Sequence, residues 1–263
     1  MGGETCPSLS FARRRCSNLQ TGTLIDRGCA AVQDLRGGTT GMIDKRVQSA
    51  ADALADVKDG ATVFISGFGG AGFPNMLIRA LRERAVRQLT LVVNSATHRY
   101  SRTHELIEAG QVARIICSAA RGAGKELSPF EQLWKAGKIE LTCLPQGTFA
   151  EAIRAGGAGI PAFFTPVGVG TELTRGKEVR RFGERDYVME PAITGDLALL
   201  RADTADAYGN LTFRYAQANF GPVMATAARL AVAEVRAISQ QPIPHSQAQL
   251  PGVYIDRVVQ AAE

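Results

Sequence analysis

Apolar and polar positions along the chain follow two rhythms that alternate. Thr62–Ile65, Leu89–Val93, Val112–Cys117 and Ile139–Leu144 are short, unbroken apolar runs with many β-branched residues, which read as buried strands. Between them the apolar residues recur every three or four positions. Lys45–Val57 carries Val47, Ala50, Ala51, Leu54 and Ala55, and Asn75–Arg84 carries Met76, Leu77, Ala80 and Leu81. That spacing predicts amphipathic helices. Thr103–Ala109, Lys125–Ala136 and Phe149–Ala155 read the same way, closed by Gly110, Gly137 and Gly156. Strands alternating with helices predict βαβ units, an α/β class and a mostly parallel central sheet flanked by helices.

After Gly159 the rhythm changes. Pro161–Phe164 is strand-like, Arg175–Arg185 is polar and reads as a hairpin region, and Tyr187–Glu190, Leu197–Ala202 and Leu230–Ile238 are further strands. Tyr208-Gly209-Asn210 is a turn signal leading into a strand at Leu211. Gly221-Pro222 opens an alanine-rich helix over Phe220–Arg229, and Val253–Val259 reads as a last strand. No repeat recurs, and no linker divides residues 42–263, so they are expected to form one domain.

The first strand empties into Ser66-Gly67-Phe68-Gly69-Gly70-Ala71-Gly72-Phe73-Pro74. Strand, glycine loop and helix is a geometry that aims backbone N–H groups and a helix N-terminus at an anion. Gly67, Gly69 and Gly72 also match the dinucleotide spacing G-x-G-x-x-G. The acidic residue that should end the second strand is missing, because Leu89–Val93 runs into Asn94-Ser95. No lysine follows the loop as a P-loop requires. A nicotinamide dehydrogenase is therefore disfavoured.

Composition narrows the class further. The 263 residues are 45% hydrophobic with 28 glycines, which suits a soluble α/β enzyme. No apolar run approaches the roughly 18 residues of a membrane span. The net charge is +5, with basic residues scattered rather than striped, so no nucleic-acid surface is expected. Residues 1–41 differ in texture: five arginines against three acids, and Cys6, Cys16 and Cys29, without sustained periodicity. They are expected to be a surplus or disordered leader, with a targeting segment or an ordered extension as alternatives. Met42 then reads as the natural start. Cys117 and Cys143 lie in apolar runs without a C-x-x-C partner and read as core thiols in a reducing, cytoplasmic compartment.

The run from Asp59-Gly60 through Ile65-Ser66-Gly67-Phe68 to Gly72-Phe73-Pro74 resembles the signature of the family I CoA-transferases, in their small (A) subunit. Later runs carry the same resemblance in order: Pro145-Gln146-Gly147-Thr148; Ala155 to Pro161; Gly168-Val169-Gly170-Thr171; Tyr187-Val188-Met189-Glu190; Gly209-Asn210-Leu211; Ala218-Asn219-Phe220; and Pro251-Gly252-Val253-Tyr254. The opening Met42-Ile43-Asp44-Lys45 resembles the 3-oxoadipate branch.

That resemblance implies an open α/β fold and transfer of CoA from succinyl-CoA to a 3-oxoacid, 3-oxoadipate or acetoacetate. The nucleophile of such enzymes is a glutamate that becomes a glutamyl-CoA thioester, with no metal and no permanent cofactor. The glutamate sits in a B-type subunit in a Ser-Glu-Asn-Gly-like motif, and no such tetrad occurs here. This chain is thus expected to act only in a hetero-oligomer with a B subunit. Glu190, Glu172 and Glu178 read as structural. By the same resemblance Ser66, Gly67, Phe68, Gly69, Gly70, Ala71 and Gly72 lie at the CoA, and Gln146 and Asn94 are candidate oxyanion or acyl-binding groups. Where relatives have a second Asn and a glycine, this chain has Ser95-Ala96-Thr97-His98, which bears on acyl specificity. His98 and His104 read as surface residues. A non-catalytic sensor or scaffold on the same architecture is the alternative.

Overall fold

The computed structural model describes residues 43–122 and 124–261. The expectations placed on residues 1–41 and on Met42 lie outside the described residues.

The apolar runs build the predicted parallel sheet. Strands β1 (Thr62–Ile65), β2 (Leu89–Val93), β3 (Val112–Cys117) and β4 (Glu140–Cys143) lie side by side in that order. On the other side of β1 come β8 (Gly195–Ala205), β10 (Ala228–Ile238) and β11 (Arg257–Gln260), all parallel. A two-residue β9 (Leu211–Thr212) pairs antiparallel with β8. Both faces of the sheet are covered, which is why its strands read as continuous apolar runs rather than alternating ones. Val63, Ile65, Leu89, Leu91 and Val93 face one core cluster. Phe64 and Val92, the residues between them, face the other.

Helices α1 (Ala50–Ala53), α2 (Asn75–Glu83), α3 (Thr103–Glu108) and α4 (Pro129–Lys135) cover the first face through Leu54, Leu77, Leu81, Leu106 and Phe130. Helices α5 (Gln146–Gly157) and α6 (Gly221–Ala227) cover the second through Phe149, Ile153 and Met224. Burying Phe64 completely is worth about 2–3 kcal/mol.

A separate three-stranded antiparallel sheet, β5 (Ala162–Thr165), β7 (Arg185–Pro191) and β6 (Val179–Phe182), forms where the rhythm changes after Gly159. The expected hairpin over Arg175–Arg185 is its β6–β7 half. The described residues belong to one compact unit.

Several boundaries depart from expectation, among them the alanine-rich helix, which ends at Ala227 where β10 begins. Lys45–Val57 is not one helix. Its first residues run along the edge of β11, where Val47 N–H donates to Val258 O at 2.9 Å and Val258 N–H to Lys45 O at 2.8 Å. Edge pairing outcompetes the helical periodicity, and only Ala50–Ala53, capped by Ser49, coils. The helix expected from Lys125 starts at Pro129, because Ser128 and Glu131 form a capping box there. Helix α5 starts at Gln146, three residues before the expected Phe149. The last strand starts at Arg257, since 252–254 form a 3-10 turn.

Candidate active site

The carboxyl ends of β1 to β4 carry the polar groups, as expected for an open α/β sheet. Past Ile65 the chain makes a two-residue hairpin. Phe68 and Ala71 exchange both backbone hydrogen bonds at 3.0 Å, with Gly69 at φ +60° and Gly70 at φ +93° between them. Two positive φ values in succession define a type I′ turn, which only residues such as glycine tolerate. Phe68, Gly69 and Gly70 are exposed, and no atom lies within 4 Å of where a Cβ on Gly69 would stand. The tip presents bare backbone.

The stems are packed instead. A Cβ on Gly67 would stand 2.1 Å from the Phe73 ring, and one on Gly72 would stand 2.5 Å from Gln217 O. Buried Ser66 donates through Oγ to Gly72 O at 2.7 Å and accepts from Arg201 N–H at 3.3 Å. Asn219 clamps both stems: Oδ1 accepts from Gly67 N–H at 3.0 Å, and Nδ2 donates to Ala71 O at 3.2 Å. Phe68 meets Phe220 edge-on at 6.3 Å, and Phe220 meets Phe149 of α5 at 5.5 Å.

The N-terminus of α2 does not face solvent for a foreign anion. Glu234 on β10 fills it, accepting from Met76 N–H at 2.8 Å and Leu77 N–H at 3.0 Å. Its other oxygen accepts from Arg201 at 2.6 Å. Burial pushes the Glu234 carboxyl up, and the two amides and Arg201 pull it back. The strand–loop–helix geometry thus meets an anion of the protein's own. A single acid inside the apolar run Leu230–Ile238 was the available signal for it.

Asn94 and Gln146 come together. Asn94 follows β2 and is buried, and its Oδ1 accepts from Gln146 Nε2 at 2.8 Å and Ser118 Oγ at 2.9 Å. Gln146 is exposed at the first position of α5, so the buried amide orients the exposed one. Since Ile65 pairs with Val93, Ser66 and Asn94 leave adjacent strands at the same level.

The carboxylates read as structural are all engaged. Glu190 is buried, and Lys177 Nζ donates to its oxygens at 2.7 and 2.8 Å. Glu172 pairs with Arg175, and Glu178 with Arg180 at 2.7 Å. His104 is exposed, but His98 is half-buried, against expectation. It stacks on Phe73 with centroids 4.6 Å apart, and burial with Arg99 lowers its pKa. Cys117 and Cys143 are free and opposite each other on β3 and β4; burial pushes the Cys117 thiol up to about 12. Among the described residues no cluster of three or more His, Cys, Asp or Glu could hold a metal, and no helix is long and apolar enough to cross a membrane.

An open parallel sheet with a bare turn and an oriented carboxamide at its carboxyl edge is the construction of an α/β ligand-binding protein. The chain belongs to the coenzyme A transferase family, whose model matches residues 47–261. It is 42% identical over 219 residues to the A subunit of the 3-oxoadipate CoA-transferase of Pseudomonas putida, covering 83% of this chain and 94% of that one. It is 45% identical over 217 residues to the A subunit of a succinyl-CoA:3-ketoacid coenzyme A transferase of Xanthomonas campestris, covering 82% and 88%. Among solved structures it resembles an acyl-CoA transferase of E. coli O157:H7 in a thioester complex with CoA, at a TM-score of 0.70 and 24% identity. The likeness covers 83% of this chain and 47% of that one, so this chain spans about half of that protein, and at such identity it speaks for the fold alone.

Proposed function

We propose that this chain is the A subunit of a 3-oxoacid CoA-transferase that moves CoA from succinyl-CoA to 3-oxoadipate or acetoacetate. The alignment with A-type relatives over 94% and 88% of their lengths carries this reading. The site supports it: a bare hairpin suits a thioester carrier, and Glu234, the carboxylate beneath the helix that follows it, is already bonded, as is Glu190 on β7. The nucleophile is then a glutamate of a B subunit, and the enzyme works as a hetero-oligomer, in the cytoplasm.

The glutamate carboxylate attacks the thioester carbonyl, and the tetrahedral adduct breaks its C–S bond, expelling CoA as a thiolate and leaving an acyl–glutamyl anhydride. The thiolate attacks the glutamyl carbonyl and releases succinate, leaving the glutamyl-CoA thioester. The incoming 3-oxoacid reverses both steps and departs as its CoA thioester. Protons balance without a metal or redox group. Each tetrahedral step puts negative charge on a carbonyl oxygen, and Gln146, held by Asn94, offers an amide donor for it. The exposed tip, Phe68 to Gly70, meets the pantetheine arm, and the packed Ser66, Gly67 and Gly72 hold its shape. Ser95-Ala96-Thr97-His98, after Asn94, tunes the acyl pocket.

The test is reconstitution with the B subunit of the same organism, followed by thioester exchange between succinyl-CoA and each 3-oxoacid. Exchange in the pair and none in either chain alone is the expected result. A pair inactive with every succinyl or acetoacetyl substrate would sink the reading.

A further inference from the structure

Helices α2 and α5 both start at the carboxyl edge of the sheet, and their N-termini are finished differently. That of α2 is filled by Glu234. That of α5 is open. Its flanking residue, Pro145, gives no side-chain cap, and Phe149 N–H is the first to reach a backbone carbonyl, Pro145 O at 2.8 Å. The amides before it, of Gln146, Gly147 and Thr148, are those a helix cannot satisfy from within. Gly147 is exposed, and no atom lies within 4 Å of where a Cβ on it would stand, so an incoming group can reach this backbone.

A second observation lies inside that opening. Thr148, at the third position of α5, is 3% exposed, and its Oγ1 is buried without a hydrogen-bond partner. A helical threonine commonly places its hydroxyl on a carbonyl of the preceding turn, and this one does not. A buried hydroxyl left unpaired costs free energy and calls for a reason. Side chains tilt toward the N-terminus of their helix, so this hydroxyl leans toward the open amides. The opening stands at the site itself, because Gln146 beside it donates to Asn94 Oδ1 at 2.8 Å.

We propose that the N-terminus of α5, with the Thr148 hydroxyl as its inner donor, holds the carboxylate of the free acid: the 3-oxoacid on its way in and succinate on its way out. The inference rests on the proposed function and deepens it. A helix N-terminus favours negative charge, and amide and hydroxyl donors suit the two oxygens of a carboxylate. The acid's own carboxyl carbon becomes tetrahedral in one of the two steps, so its carboxylate has to wait beside the oxyanion donor, Gln146. The α2 terminus cannot serve, since Glu234 occupies it. The acid on α5, Glu151, does not compete for its own helix terminus, because both its oxygens are bonded to Arg154 at 2.7 and 2.8 Å.

The experiment uses the full chain assembled with the B subunit of the same organism. Thr148→Val exchanges the hydroxyl for a methyl group of the same shape. Its melting temperature should stay level or rise, because an unpaired buried group is removed. Its KM for the 3-oxoacid and its inhibition constant for succinate should both rise about tenfold, the size of one lost hydrogen bond to a charged group. KM for succinyl-CoA should be unaltered. Thr148→Ser keeps the hydroxyl and should restore both constants. Acid KM and succinate binding unaltered in Thr148→Val overturn the inference, whatever the melting temperature does, and leave the hydroxyl to a buried water. Slower formation of the glutamyl-CoA thioester at unaltered acid KM overturns it in favour of the B subunit's glutamate as the bound carboxylate. A raised KM for CoA thioesters overturns it in favour of a carrier subsite. Calorimetry with succinate reads the site without turnover. A pair that binds succinate, about tenfold more weakly in Thr148→Val, yet shows no exchange leaves the carboxylate site standing and removes the transferase reading.

Discussion

Two structures share the carboxyl edge of the sheet and are built on opposite plans. The hairpin after β1 presents backbone and owes its shape to groups far away in sequence: the Asn219 side chain, the Arg201 backbone N–H on Ser66 and, at the start of the helix that follows, the Glu234 carboxylate. The cluster after β2, β3 and β4 presents a side chain, Gln146, and holds itself through Asn94 and Ser118. In the first, removing supporting atoms damages the fold before it damages chemistry. In the second, chemistry can be removed from an exposed position with the fold left alone. On the proposed function, the contrast separates scaffold from reagent within one edge.

The largest effect is expected inside the hairpin, between its two kinds of glycine. Gly72→Val drives a side chain into Gln217 O and Asn219 at φ +77° and should destabilise by about 4 kcal/mol or more, or prevent folding. Gly69→Val meets open space at φ +60° and should cost only about 1–2 kcal/mol. Its KM for CoA thioesters should nevertheless rise sharply. Urea unfolding and steady-state kinetics with the B subunit test both; a Gly69→Val enzyme with unaltered KM would refute the assignment of the tip to the carrier.

Glu234→Leu comes next. It strands Arg201 in a half-buried site and leaves two α2 amides unbonded, for a loss of about 3–5 kcal/mol by urea unfolding. The Asn94 cluster supplies the counterpart. Gln146→Ala removes an exposed amide and should leave the melting temperature within a degree or two, while kcat falls about 100-fold, the usual cost of losing one oxyanion donor. A Gln146→Ala enzyme with full kcat would place the donor elsewhere.

What the sequence made legible follows from range. The central strands are local apolar runs, and the I′ turn needs adjacent glycines, so both could be read directly. Lys45–Val57 could not, because a helical spacing also fits a segment whose backbone is captured by β11, a partner some 200 residues on. Gln146 was legible as a residue following a strand, but its place as the first residue of α5 depends on where that helix begins, the least readable feature of any helix. The clamp of Asn219 on Gly67, like the bond of Glu234 to α2, joins positions over 150 residues apart. Asn219 was visible as part of a motif, and its task was not.

The smallest effect is a matter of pH, and it divides the same two regions. Asn94, Ser118 and Gln146 do not titrate. The turn bearing Asn219 borders on Asp203, whose carboxyl Arg236 holds below its usual value. A depressed carboxyl contributes stability above its unfolded pKa of 3.8 and loses it as pH falls through the folded value. Arg236 is half in water, so the contribution is on the order of 1 kcal/mol or less. Glu234 acts in the opposite sense: burial raises its carboxyl, and its share of stability fades as pH rises through the raised value. As pH falls below about 4, amide exchange in 214–219 should quicken ahead of that around Asn94. Asp203→Asn should flatten that difference without shifting the behaviour near Gln146. If exchange rises equally in both regions, the hairpin and the amide cluster share one support, and the division between them fails.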